Sequence, residues 1–221
     1  MSLLSTCTTI KLASDGQEIT MTQEKKMLPY VVSNDENCQN RDILTKPAEQ
    51  VKFPLNNEDR KIIEQLIYQF RHEENCAGLA APQIGFSKRI IIFSVPEEVK
   101  DYRIDAFDTL PETLLINPTY KPLGEEKTLD WETCFSVNDY GGEVERFTHI
   151  YYEGFDANGN KIENEAKGFL ARLIQHETDH INGRLYIHLL KPEARQGKLE
   201  EVRTIRKAEL AAKKKIYANQ D

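Results

Sequence analysis

Residues Gln175-His176-Glu177-Thr178-Asp179-His180 set two histidines four positions apart, with a carboxylate directly after the first. On a helix that spacing sends both imidazoles from one face toward one point, and Glu177 lies one position along, placed to act on a water held there. Phe169, Leu170, Leu173, Ile174 and Ile181 recur near helical spacing between Ala166 and Gly183, and Asn182-Gly183 offers a left-handed stop. The helix therefore has a buried face. Imidazoles packed there need polar partners, and a single metal ion serves both.

A third protein ligand must then come from elsewhere in the chain. Downstream the only histidine is His188, eight residues on. That does not match the extended zincin pattern, which counts against a metallopeptidase. Upstream, Trp131-Glu132-Thr133-Cys134-Phe135-Ser136 presents a cysteine in a strand-like segment, and a thiolate binds divalent metals strongly. Cys134, His176 and His180 are the expected metal ligands, leaving a fourth tetrahedral position for water and Glu177 as its proton acceptor.

The other elements read as strands followed by this helix. Between Asn57 and Arg71, Ile62, Ile63, Leu66, Ile67 and Phe70 recur at three- and four-residue intervals behind an Asn-Glu-Asp start, a capped amphipathic helix. Segments 89–95, 113–120, 129–137 and 149–154 are rich in β-branched or aromatic residues and read as strands, with Asn158-Gly159 as a hairpin turn before Lys161-Ile162. Helices and strands that segregate rather than alternate predict an α+β fold, mostly antiparallel sheets packed around the metal-binding helix. Three units are expected: a disordered extension over 1–26, a catalytic domain over 27–192, and a charged basic helix over 193–221. From Arg195 to Lys215 there are eight basic and three acidic residues around a thin apolar stripe.

Compartment and partners follow from composition. The longest apolar run, Ile90 to Phe93, is far short of the roughly 20 residues that cross a bilayer. A net charge of −7 argues against broad, nonspecific nucleic-acid binding. Cys7, Cys38, Cys76 and Cys134 show no paired spacing and no signal peptide precedes them, so a reducing cytoplasm is expected.

Three segments, in order, resemble the three motifs of peptide deformylases: Gly78-Leu79-Ala80-Ala81-Pro82-Gln83-Ile84-Gly85, Glu132-Thr133-Cys134-Phe135-Ser136, and Gln175 to His180. Similarity continues in Arg89-Ile90-Ile91-Ile92, Ile116-Asn117-Pro118 and Gly183-Arg184-Leu185. The resemblance implies a hydrolase that removes the N-formyl group from the initiator methionine of new polypeptides. It implies ferrous iron as the working ion, with zinc, nickel or cobalt able to substitute. It assigns the Gln83 side chain and the backbone N–H of Phe135 as oxyanion donors, and Gly78, Leu79 and Ile174 to the substrate cleft. Glu132 would form a structural ion pair, and the basic C-terminal helix would contact the ribosome. Two positions depart from the pattern: Cys76 and Thr133 stand where the family has glycine. They support the alternative of a catalytically impaired, metal-containing binding protein, and Cys76 would lie near the metal.

Overall fold

The computed structural model describes residues 25–218, so nearly all of the extension expected to be disordered, 1–26, lies outside the described residues. Helix α1 (Asn57–His72) precedes strands β1 (Gly78–Ala80), β2 (Ile90–Val95), β3 (Leu110–Pro122), β4 (Lys127–Cys134), β5 (Val137–Phe147), β6 (His149–Phe155) and β7 (Lys161–Lys167). Helix α2 (Gly168–Ile181), strand β8 (Gln196–Lys198) and helix α3 (Leu199–Ala218) complete the chain. The strands form two antiparallel sheets, one in the order β1-β2-β3-β6-β7 and one in the order β4-β5-β8. The fold is α+β, as the segregated pattern predicts.

Successive side chains on a strand point to opposite faces, and the uninterrupted run Ile90-Ile91-Ile92-Phe93 shows why β2 is apolar on both. Ile90 and Ile92 pack with Ile62, Ile63, Leu66 and Phe70 of α1, while Ile91 and Phe93 pack with Leu170, Ala171, Leu173 and Ile174 of α2. The larger sheet is thus covered on each side by a helix. A third apolar cluster, with Leu44, Val144, Leu185 and Tyr186, lies at the smaller sheet. Helix α1 is capped one residue earlier than its first acidic residues suggest, by the Asn56 side chain accepting from the Asp59 N–H at 2.8 Å.

Several boundaries differ from the sequence pattern for identifiable reasons. The strand expected over 129–137 ends at Cys134, because the chain reverses through Phe135-Ser136 and Val137 begins β5. Strand β5 was obscured by Gly141-Gly142, residues that usually weaken strands. Here they are required: a Cβ on Gly142 would lie 2.5 Å from Leu190 Cδ2, and one on Gly141 would lie 3.0 Å from Thr133 Cγ2. Within the expected basic C-terminal helix, Gln196–Lys198 instead pairs with β5, so the helix begins at Leu199.

Helix α2 starts later than Ala166, since Ala166 and Lys167 still pair in β7 with β6. Gly168 makes the turn between them at φ 54°, with its N–H donating to Thr148 O at 2.9 Å and the Phe169 N–H donating to Asp105 O at 3.0 Å. A Cβ there would fall onto the Asp105 carbonyl oxygen. Replacing Gly168 by Ala should cost about 2 kcal/mol or more of stability, from left-handed strain plus the backbone collision. A denaturant midpoint equal to the parent's would show that the turn relaxes without cost.

Candidate active site

The β4–β5 hairpin brings Cys134 to α2. Its register runs regularly from Lys127↔Phe147 to Thr133↔Gly141 and then jumps to Cys134↔Val137, so Asn138 to Tyr140 form a bulge with no partner on β4. A bulge re-aims the side chain beside it. Here it turns the Cys134 sulfur toward the helix, 3.3 Å from His180 Nε2. One donor atom from each of Cys134, His176 and His180 lies within 4.8 Å of the others, and the two imidazole centroids are 5.0 Å apart at 79°. Sulfur and nitrogen donors this close, with no intervening side chain, could hold one divalent ion.

A buried ionic network orients the first imidazole. The His176 Nδ1–H donates to Glu132 Oε2 at 2.8 Å, which leaves Nε2 as the free donor atom. Glu132 is itself fixed by Arg146 through Nε and Nη2, both at 2.9 Å, and by Arg172 Nη1 at 2.7 Å. Burial by itself would raise the Glu132 carboxyl; Arg146 and His176 hold it well below the usual carboxylate range. Arg146 also pairs with Asp179 on the helix. Asp179 therefore points away from the donor cluster and ties α2 to β5, while Tyr186 lies nearly parallel to the His176 ring at 6.3 Å.

His180 has no such partner. Its Nδ1 is buried without a hydrogen bond, and burial, then the neighbouring His176 and Arg146, push its pKa well below the usual range. His176 goes the other way: burial opposes protonation, but hydrogen bonds to Cys134 and Glu132 raise it well above the ordinary value. A neutral imidazole beside a sulfur atom that accepts two N–H donors, Gln83 Nε2 and Ser136 N, both at 3.4 Å, fits a cation at their centre.

Glu177 sits against the backbone of β1. A Cβ on Gly78 would lie 2.5 Å from Glu177 Oε1, so only glycine admits the carboxylate at this place. Its other oxygen, Oε2, is buried without a partner. Desolvation raises its pKa to about 7, with His176 and Arg146 opposing the shift and Glu132 adding to it. Gln83 is oriented by the Ala80 N–H, which donates to Gln83 Oε1 at 2.8 Å and turns Nε2 toward Cys134.

A cleft of about 730 Å³ opens onto Cys134, His176 and Glu177, and Gly78, Gln83 and Phe135 line it. The Phe135 ring stacks on Tyr30 at 4.8 Å. Leu79 and Ile174 are placed differently from the expectation. Both are fully buried and belong to the two cores, because β1 turns Leu79 toward α1 and α2 turns Ile174 toward the sheet. Cys76 and the exposed Thr133 do reach the cleft. The Cys76 sulfur lies outside the donor cluster, 3.2 Å from the Gly78 carbonyl to which its S–H donates, and burial followed by the Glu177 charge pushes the thiol far up. Sequence reasoning set Glu132 aside as structural and missed that it carries His176; Arg146 and Arg172 left no pattern at all.

The family model described as polypeptide deformylase matches residues 35–196. Peptide deformylase 2 of Rickettsia conorii is 49% identical over 163 residues, which span 73% of this chain and 81% of the relative. Peptide deformylase 1 of Bordetella pertussis is 43% identical over 140 residues, 63% of this chain and 76% of the relative. Among solved structures, the Met-Ala-Ser-bound class I type b peptide deformylase of Acinetobacter baumannii is similar with TM-score 0.64 and 29% identity, covering 76% of this chain and 100% of that one. The peptide deformylase of Ehrlichia chaffeensis gives TM-score 0.64 at 28% identity over 87% of this chain and 99% of that one.

Replacing Glu132 by Gln should leave two buried guanidinium groups short of countercharge and loosen the His176 ring. The expected cost is about 3–5 kcal/mol of stability. Affinity for cobalt, titrated by its absorption, should fall about 10- to 100-fold. Parental values of both would show that the carboxylate's charge is dispensable.

Proposed function

The chain belongs to the polypeptide deformylase family, and on that premise we propose that Cys134, His176 and His180 hold the ion of this peptide deformylase, with Glu177 as its general base. The enzyme is a metal-dependent hydrolase that removes the N-formyl group from nascent polypeptides. The observation that carries the site assignment is the convergence of three donors beside Glu177 Oε2, a buried carboxylate oxygen without a partner. A purely structural metal site has no use for that oxygen.

Ferrous iron is the proposed working metal; zinc suits a two-histidine, one-cysteine set by ligand type, and nickel or cobalt would also be accepted. When bound, the ion supplies Lewis acidity to the formyl oxygen and to the attacking water. Glu177 takes the proton released as water adds to the formyl carbon, then returns it to the departing amine nitrogen, giving formate and a free amino terminus. Its raised pKa, near neutrality before metal binds, suits a group that must both accept and give. As negative charge gathers on the formyl oxygen, the Gln83 side-chain N–H and the Phe135 backbone N–H stabilise it. Gln83 needs no reorientation for this, since Ala80 already holds its carbonyl oxygen. Gly78 lets the substrate backbone approach beside Glu177. Leu79 and Ile174 support the cleft from behind rather than touching methionine.

Substrates are chains beginning with N-formylmethionine. The tripeptide Met-Ala-Ser held by the Acinetobacter baumannii relative supports this, as it is the deformylated form of such a chain. A cytoplasmic place beside the ribosome follows from the substrate. Among the described residues Cys38, Cys76 and Cys134 are free thiols, and no helix is long and apolar enough to cross a membrane. The exposed basic residues of α3, Lys207 and Lys213 to Lys215, offer a surface for ribosomal RNA. We take the working unit to extend past residue 192, because β8 closes the smaller sheet and α3 lies on it. The deciding assay is formate release from formyl-Met-Ala-Ser with iron kept anaerobic.

Cys134→Ser should lower metal content after dialysis against a mild chelator; retention equal to the parent's would show that sulfur is not a ligand. Glu177→Gln should retain metal and bind a hydroxamate inhibitor while turnover falls about 100-fold or more. Formate release near the parental rate would remove Glu177 from the reaction.

A further inference from the structure

One wall of the cleft is built by the C-terminal helix. Leu199, Val202, Arg203 and Arg206 of α3 line it. The helix is fixed there by contacts along its length. Val202 is 1% exposed, and its Cγ1 would lie 3.2 Å from a Cβ on Gly141, the residue paired with Thr133 beside Cys134. Glu209 accepts from Trp131 Nε1 at 3.3 Å and from Arg195 Nη1 at 2.6 Å, and Lys214 Nζ donates to Asp101 O at 2.9 Å.

Arg206 stands one helical turn beyond Val202, so it points from the same face into the cleft. The two arginines that face it from the rest of the fold are matched with carboxylates, Arg103 with Asp105 and Asp130 and Arg172 with Glu132, while Arg203 on its own helix is exposed. Arg206 is half-buried and has no hydrogen bond or ion pair among the described residues. Burial, and then the Arg103 charge beside it, disfavour its cationic form against the opposing pull of Asp130 and Asp105, and an incoming anion would add to that pull.

The strand provides a ruler. Arg103 Nη2 lies 2.6 Å from Asp130 Oδ2, and Asp130 precedes Cys134 by four residues on β4. At about 3.3 Å per residue this group lies about 13 Å from the metal-ligand sulfur. An extended peptide advances at the same rate, so its third or fourth residue reaches the arginines when its formyl group is at Cys134. The path continues outward, since Tyr102, Arg103 and Arg206 also line a second hollow of about 630 Å³.

We propose that Arg206 is a specificity-determining residue that reads charge three or four residues into the nascent chain, favouring Asp or Glu there over Lys or Arg. The inference rests on deformylation as the reaction of this cleft. A peptide's own terminal carboxylate is the other anion that could reach Arg206, so the test uses C-terminal amides.

The ratio of kcat/KM is measured for formyl-Met-Ala-Ser-Asp amide against formyl-Met-Ala-Ser-Lys amide, and for the pair with Asp or Lys at the third position. The parent should favour the acidic member of at least one pair about fivefold, the size of one partly exposed ion pair. Arg206→Ala should bring that ratio close to one, and Arg206→Glu should invert it. Salt at 0.5 M should flatten the parental preference. Calorimetric dissociation constants for the matching unformylated peptides should follow the same order, a readout that needs no turnover. A parental ratio of one at both positions, met only by free-acid peptides showing a preference, would assign Arg206 to the chain terminus and overturn the proposal. The same ratio in parent, Arg206→Ala and Arg206→Glu would also overturn it. Charge-ordered binding without formate release from any peptide would leave the Arg206 assignment standing and count against deformylation instead.

Discussion

The donor cluster depends on one buried carboxylate. Glu132 receives the Nδ1–H of His176 from the helix and guanidinium groups from Arg146 on β5 and Arg172 on α2. It thereby joins the sheet that carries the proposed sulfur ligand to the helix that carries both proposed nitrogen ligands. Metal sites are sensitive to such outer partners because a small rotation of an imidazole moves its donor atom off the ion. The cost is two buried arginines, and only continuous pairing makes them tolerable in a low-dielectric interior. Arg146 extends that pairing through Asp179, and Arg172 through the carbonyls of Val144 and Thr128 at 2.8 and 2.7 Å, its Nε alone being left without a partner. The same contacts that orient the site hold the smaller sheet against α2.

Close approach of backbone governs the remaining chemistry. Glu177 occupies space that any side chain at position 78 would fill, so the proposed acid–base group and the cleft wall at β1 are shaped together. Gln83 illustrates a similar economy: one amide is anchored by Ala80 and aimed at the sulfur ligand, with no further support required. Cys76 and Thr133 add bulk to this cleft without entering the donor set.

Much of this was legible in the sequence, and the gaps have physical causes. Strand β2 and helices α1 and α2 were visible because their burial repeats at the period of the element. Cys134, His176, His180 and Glu177 stood out as candidates because coordination chemistry restricts residue type and spacing so tightly, and the fold brings the three donor atoms together. Strand β5 was not, since its glycines answer to Thr133 across the hairpin and to Leu190, far along the chain. Leu79 and Ile174 could not be separated from cleft residues by pattern, because core and pocket wall are both apolar and differ only in which side of a sheet they face. Glu132 and its arginines are single charged residues scattered over 132–172, and no local period marks a network of that kind. Arg206 read as one of eight basic residues around a thin apolar stripe; only the fold of α3 over the smaller sheet turns it inward.

The order in which these parts are joined sets a kinetic demand. Ser33 N donates to Ser136 O at 2.9 Å and Asn34 and Asn138 exchange side-chain to backbone bonds, pairs separated by more than 100 residues. Strand β8 adds to β5 only after 198 residues exist. Loop closure must precede the contacts that reward it, so topologies of this kind fold slowly compared with local helical ones. The larger sheet, whose neighbours are mostly sequential hairpins, has the nearer partners. The hairpin bearing Cys134 is clasped from both ends of the chain, by residues 33–34 and by residues 196–198. Fixing its sulfur therefore carries the loop-closure cost of contacts from both ends of the chain, and without that clasp the fold would present two helix-borne imidazoles with no sulfur held beside them.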